Sequence, residues 1–436
     1  MADTFESLGI DEDYNSFLKE EGIKSPNQMQ KEVIKSFINE RSIVCLAQTG
    51  SGKTLAYALP STELMKRKEN DAGVSTKEGS PKIIVISPTK ELASQIQKVF
   101  KSISHHVAFR TRKVVGGEKR SVKASAFEVL IATPQRLAKG LKSGEINTSQ
   151  LQDLIFDEAD NLFEMGFIKE VENILRHVDF QDTRVHFFSA TLGEKAKEFI
   201  EEKFKKLDAK WFNFESNKVQ KRVETYNIYL SPKEKLNMLK AFFDKTVKGR
   251  GIVFVNQKNQ VVEIDEFLKT TKSKLKYKII HGEMSQKDRE ATHKAYVQGK
   301  FQVLIATDIM ARGIDIKDLE WVLNFGLPKT AIYYLHRSGR VGRAGKGGVV
   351  YNFITHYDSK LIGFINDAIK SQSTLSIDLI KKATQKASKK QTGKQVKSDK
   401  KKKTSTKVTK RSKRYESNAS SRPKKAKNSK KTQKRR

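Results

Sequence analysis

The stretch Ala47-Gln48-Thr49-Gly50-Ser51-Gly52-Lys53-Thr54 is the first place where residue types and spacing suit chemistry. Gly50 and Gly52 let the backbone turn tightly and aim its N–H groups at phosphate oxygens. Lys53 then reaches β- and γ-phosphates, and the Thr54 hydroxyl offers a ligand to Mg²⁺ where a helix begins. A second run, Leu154-Ile155-Phe156, ends in Asp157-Glu158-Ala159-Asp160. At the C-terminal edge of a parallel strand, Asp157 is placed to hold Mg²⁺ and Glu158 to orient and deprotonate a water. Far along the chain, His336-Arg337-Ser338-Gly339-Arg340-Val341-Gly342-Arg343 sets three arginines at spacing three among glycines. Forked donors beside a backbone that lets a ligand approach suit a phosphoryl group. Together the residues point to hydrolysis of a nucleoside triphosphate.

Such residues need strands that end where they begin. The first half offers Ile43–Ala47, Lys82–Ser87, Glu128–Ala132, Leu154–Phe156 and Arg184–Phe188, apolar runs with little alternation, as expected of strands covered on both faces. Helical stretches at Lys53–Lys66, Lys90–Ser102 and Ile168–His177 make these βα units and a mainly parallel sheet. The pattern restarts with Gly251–Val255, Tyr277–Ile280, Phe301–Ala306, Trp321–Phe325 and Val349–Phe353. Asp208–Val223 reads as a weakly patterned connector. The expectation is two α/β domains, 1–208 and 224–372, on a linker at 209–223, with a tail from 373 to 436. Cys45 reads as a small core residue, Trp211 and Trp321 as packing residues, and His105 and His106 as exposed.

Charge supports a polyanionic partner. The 436 residues hold 85 Lys plus Arg against 50 Asp plus Glu, a net +35. Residues 381–436 contribute 25 Lys plus Arg against two acids, with Tyr415 their only aromatic. Such a segment buries too little to offset its chain entropy, so a disordered basic arm is expected. An arm for phosphate backbones, a solubilising tail and, through Pro423-Lys424-Lys425-Ala426-Lys427, a nuclear address are its three readings. One cysteine excludes an internal disulfide framework. No apolar run approaches the roughly 18 residues of a membrane span, and the acidic start lacks a secretion signal's layout. A soluble, cytoplasmic protein is expected, nucleolar if its cell is eukaryotic.

The phosphate loop together with Asp157-Glu158-Ala159-Asp160 resembles the DEAD-box ATP-dependent RNA helicases, and further motifs follow in that family's order over residues 5–370. The resemblance implies two tandem RecA-like domains, ATP and Mg²⁺ as ligands, and RNA as partner. It gives Gln30 the role of reading adenine and Phe5 that of stacking on the base, while Ala47 to Thr54 hold phosphates. It gives RNA contacts to Pro88, Thr89 and Lys90, to Gly117 of Gly116-Gly117, and to Thr133 and Arg136. Ser189-Ala190-Thr191 is similar to the motif coupling hydrolysis to strand separation, which assigns roles to Ser189 and Thr191. In the second domain Arg289, Thr307 and Arg312 resemble RNA contacts, Gly313 and Asp315 nucleotide contacts, and Arg340 and Arg343 cations that cross to the γ-phosphate. Lys90 and Gln135 depart from the family's Arg and Gly, and Asn27-Gln28-Met29 from its triplet before Gln30. The function expected is ATP-driven unwinding of short RNA duplexes or remodelling of ribonucleoproteins, in ribosome assembly or RNA turnover, by a monomer with little sequence preference. A DNA translocase and an RNA-binding assembly factor or annealer with ATP-regulated release are the alternatives.

Overall fold

The computed structural model describes residues 4–370 except 40–41, 49, 74, 118–121, 124, 206–208, 215–222, 247, 272–274, 309–318, 329–330 and 343–346. Thr49, Arg312, Gly313, Asp315, Arg343 and the tail therefore lie outside the described residues.

Thirteen described strands form two sheets. The first runs β3-β4-β2-β5-β6-β1-β7, from β1 (Ile43–Ala47), β2 (Ile83–Ile86), β3 (Thr111–Val114), β4 (Val129–Ala132), β5 (Asp153–Asp157), β6 (Arg184–Ser189) and β7 (Lys210–Phe214). The second runs β10-β11-β9-β12-β13-β8, from β8 (Val223–Tyr229), β9 (Gly251–Val255), β10 (Tyr277–Ile280), β11 (Val303–Thr307), β12 (Trp321–Asn324) and β13 (Gly348–Ile354). Every pairing is parallel. This matches the expected sheets of two α/β lobes.

The strands are apolar because both faces are covered. In β1, Ile43, Cys45 and Ala47 face the core shared with Val33 and Phe37 of helix Gln28–Ile38, whereas Val44 faces the core of Leu137 and Ile174. The second sheet divides the same way, with Ile252 and Phe254 on one side and Val253 and Val255 on the other. Alternating Cβ direction explains both patterns.

Three strands escape the sequence reading. Lys210–Phe214, expected to be connector, pairs with β1 from Ile43↔Lys210 to Ala47↔Phe214. It closes the edge of its sheet, so Lys210, Trp211 and Asn213 are exposed and the apolar signal is diluted. Trp211 is 40% exposed, not a packing residue, while Trp321 is 3% exposed, as expected. β3 and β8 are also edge strands of mixed polarity, and Val223 already belongs to β8. His105 is exposed; His106 Nε2 lies 3.1 Å from Glu20 Oε2.

One buried charge cluster pins two strands together. Asp153 on β5 meets Arg184 Nη2 at 2.7 Å and His186 Nε2 at 3.0 Å, both from β6. Burial disfavours its charge, but Arg184 and His186 outweigh that and hold its pKa below the usual carboxylate range. A depressed carboxylate contributes stability above its unfolded pKa of about 4 and loses it as pH falls through the folded value. Asp153→Ala should therefore cost about 3–5 kcal/mol at pH 7. The deficit against the parent should shrink near pH 3, as read by urea unfolding at both pH values.

Candidate functional site

The phosphate loop follows β1 directly. Gly50 has φ 80° and Gly52 φ 86°, a left-handed conformation that glycine adopts freely. Gly52 has a steric reason too, since a Cβ there would stand 2.5 Å from Gln30 Nε2. Helix Lys53–Ala72 starts next, so Lys53 and Thr54 occupy its first turn. Lys53 is buried, and its Nζ donates to Ala47 O at 2.6 Å and Gln48 O at 2.9 Å. Burial lowers its pKa, against the pull of Asp157, Glu158 and Asp160.

Asp157 ends β5, two strands from β1 in the sheet. Its Oδ2 accepts a 2.9 Å hydrogen bond from Tyr57, whose hydroxyl also bonds Thr54. Burial, then the charge of Glu158, push the Asp157 carboxyl up to about 6, with Lys53 opposing. Its ionised form is thus short of positive charge, and a cation beside Asp157 and Thr54 would supply it. Among the described residues no group of three or more His, Cys, Asp or Glu stands ready for a metal. One carboxylate and one hydroxyl suit Mg²⁺ held mostly by phosphate oxygens and waters.

Glu158 is the only described non-glycine residue with positive φ, at 49°. Helix Ala159–Glu164 begins immediately after it, and its Oε2 accepts from Asn161 Nδ2 at 2.6 Å.

Asp160 gathers the remaining motifs. Thr191 Oγ1 donates to its Oδ2 at 2.7 Å, its backbone N–H donates to Ser189 Oγ at 3.0 Å, and His336 Nε2 lies 3.2 Å from Oδ2. Burial works against its charge, yet His336, Thr191 and Ser189 keep the carboxyl well below the usual range. Sequence reasoning places Asp160 and His336 within motifs but gives neither a role; only packing of the second lobe on the first reveals it.

Gln30 and Asn27 form a capping box at the start of helix Gln28–Ile38. Gln30 Nε2 also donates to Gly52 O at 3.3 Å, and Asn27 Nδ2 to Ser51 O at 2.9 Å. The unusual Asn27 therefore ties the segment bearing Gln30 to the phosphate loop. Phe5 is 4% exposed and belongs to the core with Tyr14, Met29 and Phe37, so its ring is packed rather than free.

The expected RNA contacts collect over other strands. β2 leads into Pro88 and Thr89, whose Oγ1 caps helix Lys90–Ser104 at Leu92 N. β4 leads into Thr133 and helix Pro134–Lys142, where Arg136 Nη2 donates to Glu145 Oε1 at 2.7 Å. A Cβ on Gly117, which follows β3, would stand 3.6 Å from Lys90 Nζ, so the lysine overlies that turn. β3, β4 and β2 are consecutive, as are β5, β6 and β1, so one sheet edge presents two separate sets. From the second lobe, Arg289 Nη1 reaches Glu91 Oε1 at 3.4 Å beside the first set, and Thr307 ends β11. Arg340 is buried, 7% exposed.

Arg337 corrects the sequence reading. It is 1% exposed, and its forked donors serve Asp308, Asn324, Asn256 and Gly326 rather than a ligand. Tyr57 escapes sequence reasoning altogether, although it lies one turn from Thr54 on the same helix face.

The Gly52–Gln30 contact is testable. Gly52→Ala should weaken binding of a fluorescent ATP analogue at least about tenfold, through strain at positive φ and expulsion of Gln30. The melting temperature should move by only a few degrees, about 1 kcal/mol.

Residues 27–199 match the family model for DEAD/DEAH box helicases, and residues 234–345 that for the helicase conserved C-terminal domain. The chain is 32% identical over 370 residues to the ATP-dependent RNA helicase SrmB of Haemophilus influenzae, across 83% of this chain and 82% of that protein. It is 31% identical to SrmB of Escherichia coli, across 89% of this chain and 87% of that one. Among solved structures, Saccharomyces cerevisiae Dbp5 bound to RNA and ADP BeF3 shares the fold, with a TM-score of 0.73 at 23% identity over 88% of this chain and 100% of that one. With the phosphate loop, the Asp157–Asp160 acids and the second-lobe motifs on two RecA-like sheets, the chain belongs to the DEAD-box family of ATP-dependent RNA helicases.

Proposed function

We propose that the first lobe carries the ATP chemistry and that the second completes it. In this reading the loop from Ala47 to Thr54 holds the phosphates, with Lys53 leaving its carbonyl partners for the β- and γ-oxygens. Thr54 and Asp157 hold Mg²⁺, which would neutralise charge developing on the transferred group. Glu158 orients the attacking water and takes its proton. Gln30 reads the adenine edge through its amide, and Phe5 contributes to the base pocket from the core beneath it. Arg340 and Arg343 supply cations from the second lobe, worth roughly 10³- to 10⁵-fold where such residues act on phosphoryl transfer.

The observation that carries the reading is Asp160, whose carboxylate is shared by Thr191 and His336 and whose backbone N–H donates to Ser189. It ties the nucleotide acids to the second lobe, so ATP and RNA each favour the state the other needs. RNA is gripped through Pro88, Thr89, Lys90, Gly117, Thr133, Arg136, Arg289, Thr307 and Arg312, by its phosphates and 2′-OH groups and with little sequence preference. Gly313 and Asp315 contribute to the nucleotide site, the role that the family resemblance assigns them. The basic tail is an RNA arm, and the protein works as a monomer in the cytoplasm, or the nucleolus of a eukaryotic cell. There it remodels ribonucleoproteins during ribosome assembly or RNA turnover.

Lys53→Ala should abolish RNA-stimulated ATPase, and Glu158→Gln should keep ATP binding while turnover falls at least about 10²-fold. Displacement of a short RNA duplex, followed alongside phosphate release, checks both. Near-normal turnover in Glu158→Gln would remove that carboxylate as base, and duplex annealing by Lys53→Ala at the parent rate would favour an annealer. Truncation after Asp378 should leave kcat at saturating RNA intact but flatten the salt dependence of RNA binding. The log–log slope should fall by about 0.7 for each phosphate that the arm neutralises in the full chain. An unchanged slope would exclude the arm.

A further inference from the structure

Arg337 engages all five N–H donors inside the second lobe. Nε and Nη2 hold the two oxygens of Asp308 at 2.5 and 2.7 Å, Nη2 also reaches Asn256 Oδ1 at 2.9 Å, and Nη1 reaches Gly326 O at 2.7 Å. The remaining Nη1 bond, 2.9 Å to Asn324 Oδ1, opens a chain of amides. Asn324 Nδ2 donates to Asn352 Oδ1 at 2.8 Å, Asn352 Nδ2 to Asn227 Oδ1 at 2.9 Å, and Asn227 Nδ2 to Asn366 Oδ1 at 2.9 Å. The three strand asparagines are in register across β12, β13 and β8. Asn366 lies on helix Ser359–Lys370, the last described element.

Direction in this chain is imposed by its head. A guanidinium only donates, so Asn324 must present its oxygen to Arg337 and its NH₂ to Asn352. The same constraint passes to Asn352 and Asn227, and ends on an oxygen of Asn366. Neither Asn324 nor Asn352 can flip without breaking a buried hydrogen bond, because both are fully buried. Asparagine is a poor strand former, and apolar residues would fill these sheet positions at less cost. What the chain adds is orientation. Its head is bidentate to Asp308, and the preceding residue, His336, meets Asp160 of the first lobe at 3.2 Å.

We infer that Asn324, Asn352, Asn227 and Asn366 are positioning residues, a one-way amide chain that fixes Arg337 and thereby couples helix Ser359–Lys370 to RNA-stimulated turnover. The inference rests on the helicase reading and deepens it, since no member touches the nucleotide residues themselves. Asn366, half-buried at the far end, needs only to accept.

The test uses the full chain and four variants. Asn366→Leu and Asn352→Leu should each lower RNA-stimulated kcat about fivefold, the worth of one hydrogen bond, while KM for ATP stays within about twofold. Asn366→Asp, still an acceptor, should keep the parent turnover. Asn352→Asp, which accepts from Asn324 but cannot donate to Asn227, should not. Parent turnover in folded Asn366→Leu would overturn the inference. So would an equal fall in Asn366→Asp, or a loss of kcat that disappears when each variant is assayed at the same distance below its own melting temperature. Should Asn352→Leu fail to fold, the Asn366 pair decides the matter alone. Absence of RNA stimulation in the unaltered protein would instead overturn the helicase reading, and this inference with it.

Discussion

A single buried carboxylate, that of Asp160, gathers residues from both lobes. Asp160 is 2% exposed and sits where no water can solvate its charge, so it must be satisfied by protein groups. Thr191, from the loop beyond β6, and His336, from the other lobe, meet its Oδ2, while Ser189 at the end of β6 accepts from its backbone N–H. An isolated charge of this kind is tolerated only when all its partners are present. The lobes meet at Asp160 through His336, and a second contact, Arg289 with Glu91, joins them on the side of the expected RNA path.

The strand order does the sorting. β1, β5 and β6 lie side by side and end in the phosphate loop, the acids and the Ser-Ala-Thr segment. β2, β4 and β3 lie side by side and end in the segments assigned to RNA. One sheet edge thus carries, side by side, the segments proposed for a nucleotide and those proposed for RNA. The two sets border one another, since β2 and β5 are hydrogen-bonded neighbours from Ile83↔Asp153 to Ile86↔Phe156.

Much of this is legible in the sequence, for a physical reason. Central strands of a parallel sheet are apolar throughout, so Ile43–Ala47 and Gly251–Val255 stand out with the boundaries they have in the structure. Edge strands carry no such signature. In Lys210–Phe214 only Phe212 is buried, while Lys210, Trp211 and Asn213 are exposed, and the pattern is that of a connector. The phosphate loop is readable because its chemistry is local: glycines, lysine and threonine within eight residues. Asp160 and Arg337 are not, because their importance lies in partners far apart in sequence. Asp160 meets Thr191 and His336, and Arg337 meets Asn256 and Asp308, and no local pattern encodes either set. Phe5 shows the converse, a residue assigned by resemblance whose ring lies within the core.

The resting place of Lys53 has a consequence for the cycle as a whole. A buried ammonium with nothing to bind would make the empty site expensive and product hard to release. Here the carbonyl oxygens of Ala47 and Gln48, at 2.6 and 2.9 Å, give the lysine a docking berth within its own loop. In the proposed reading, arrival of a triphosphate would be an exchange of oxygen partners, and so would departure of the diphosphate. Such an exchange would spare the ammonium a stage without oxygen partners, before binding and after release alike.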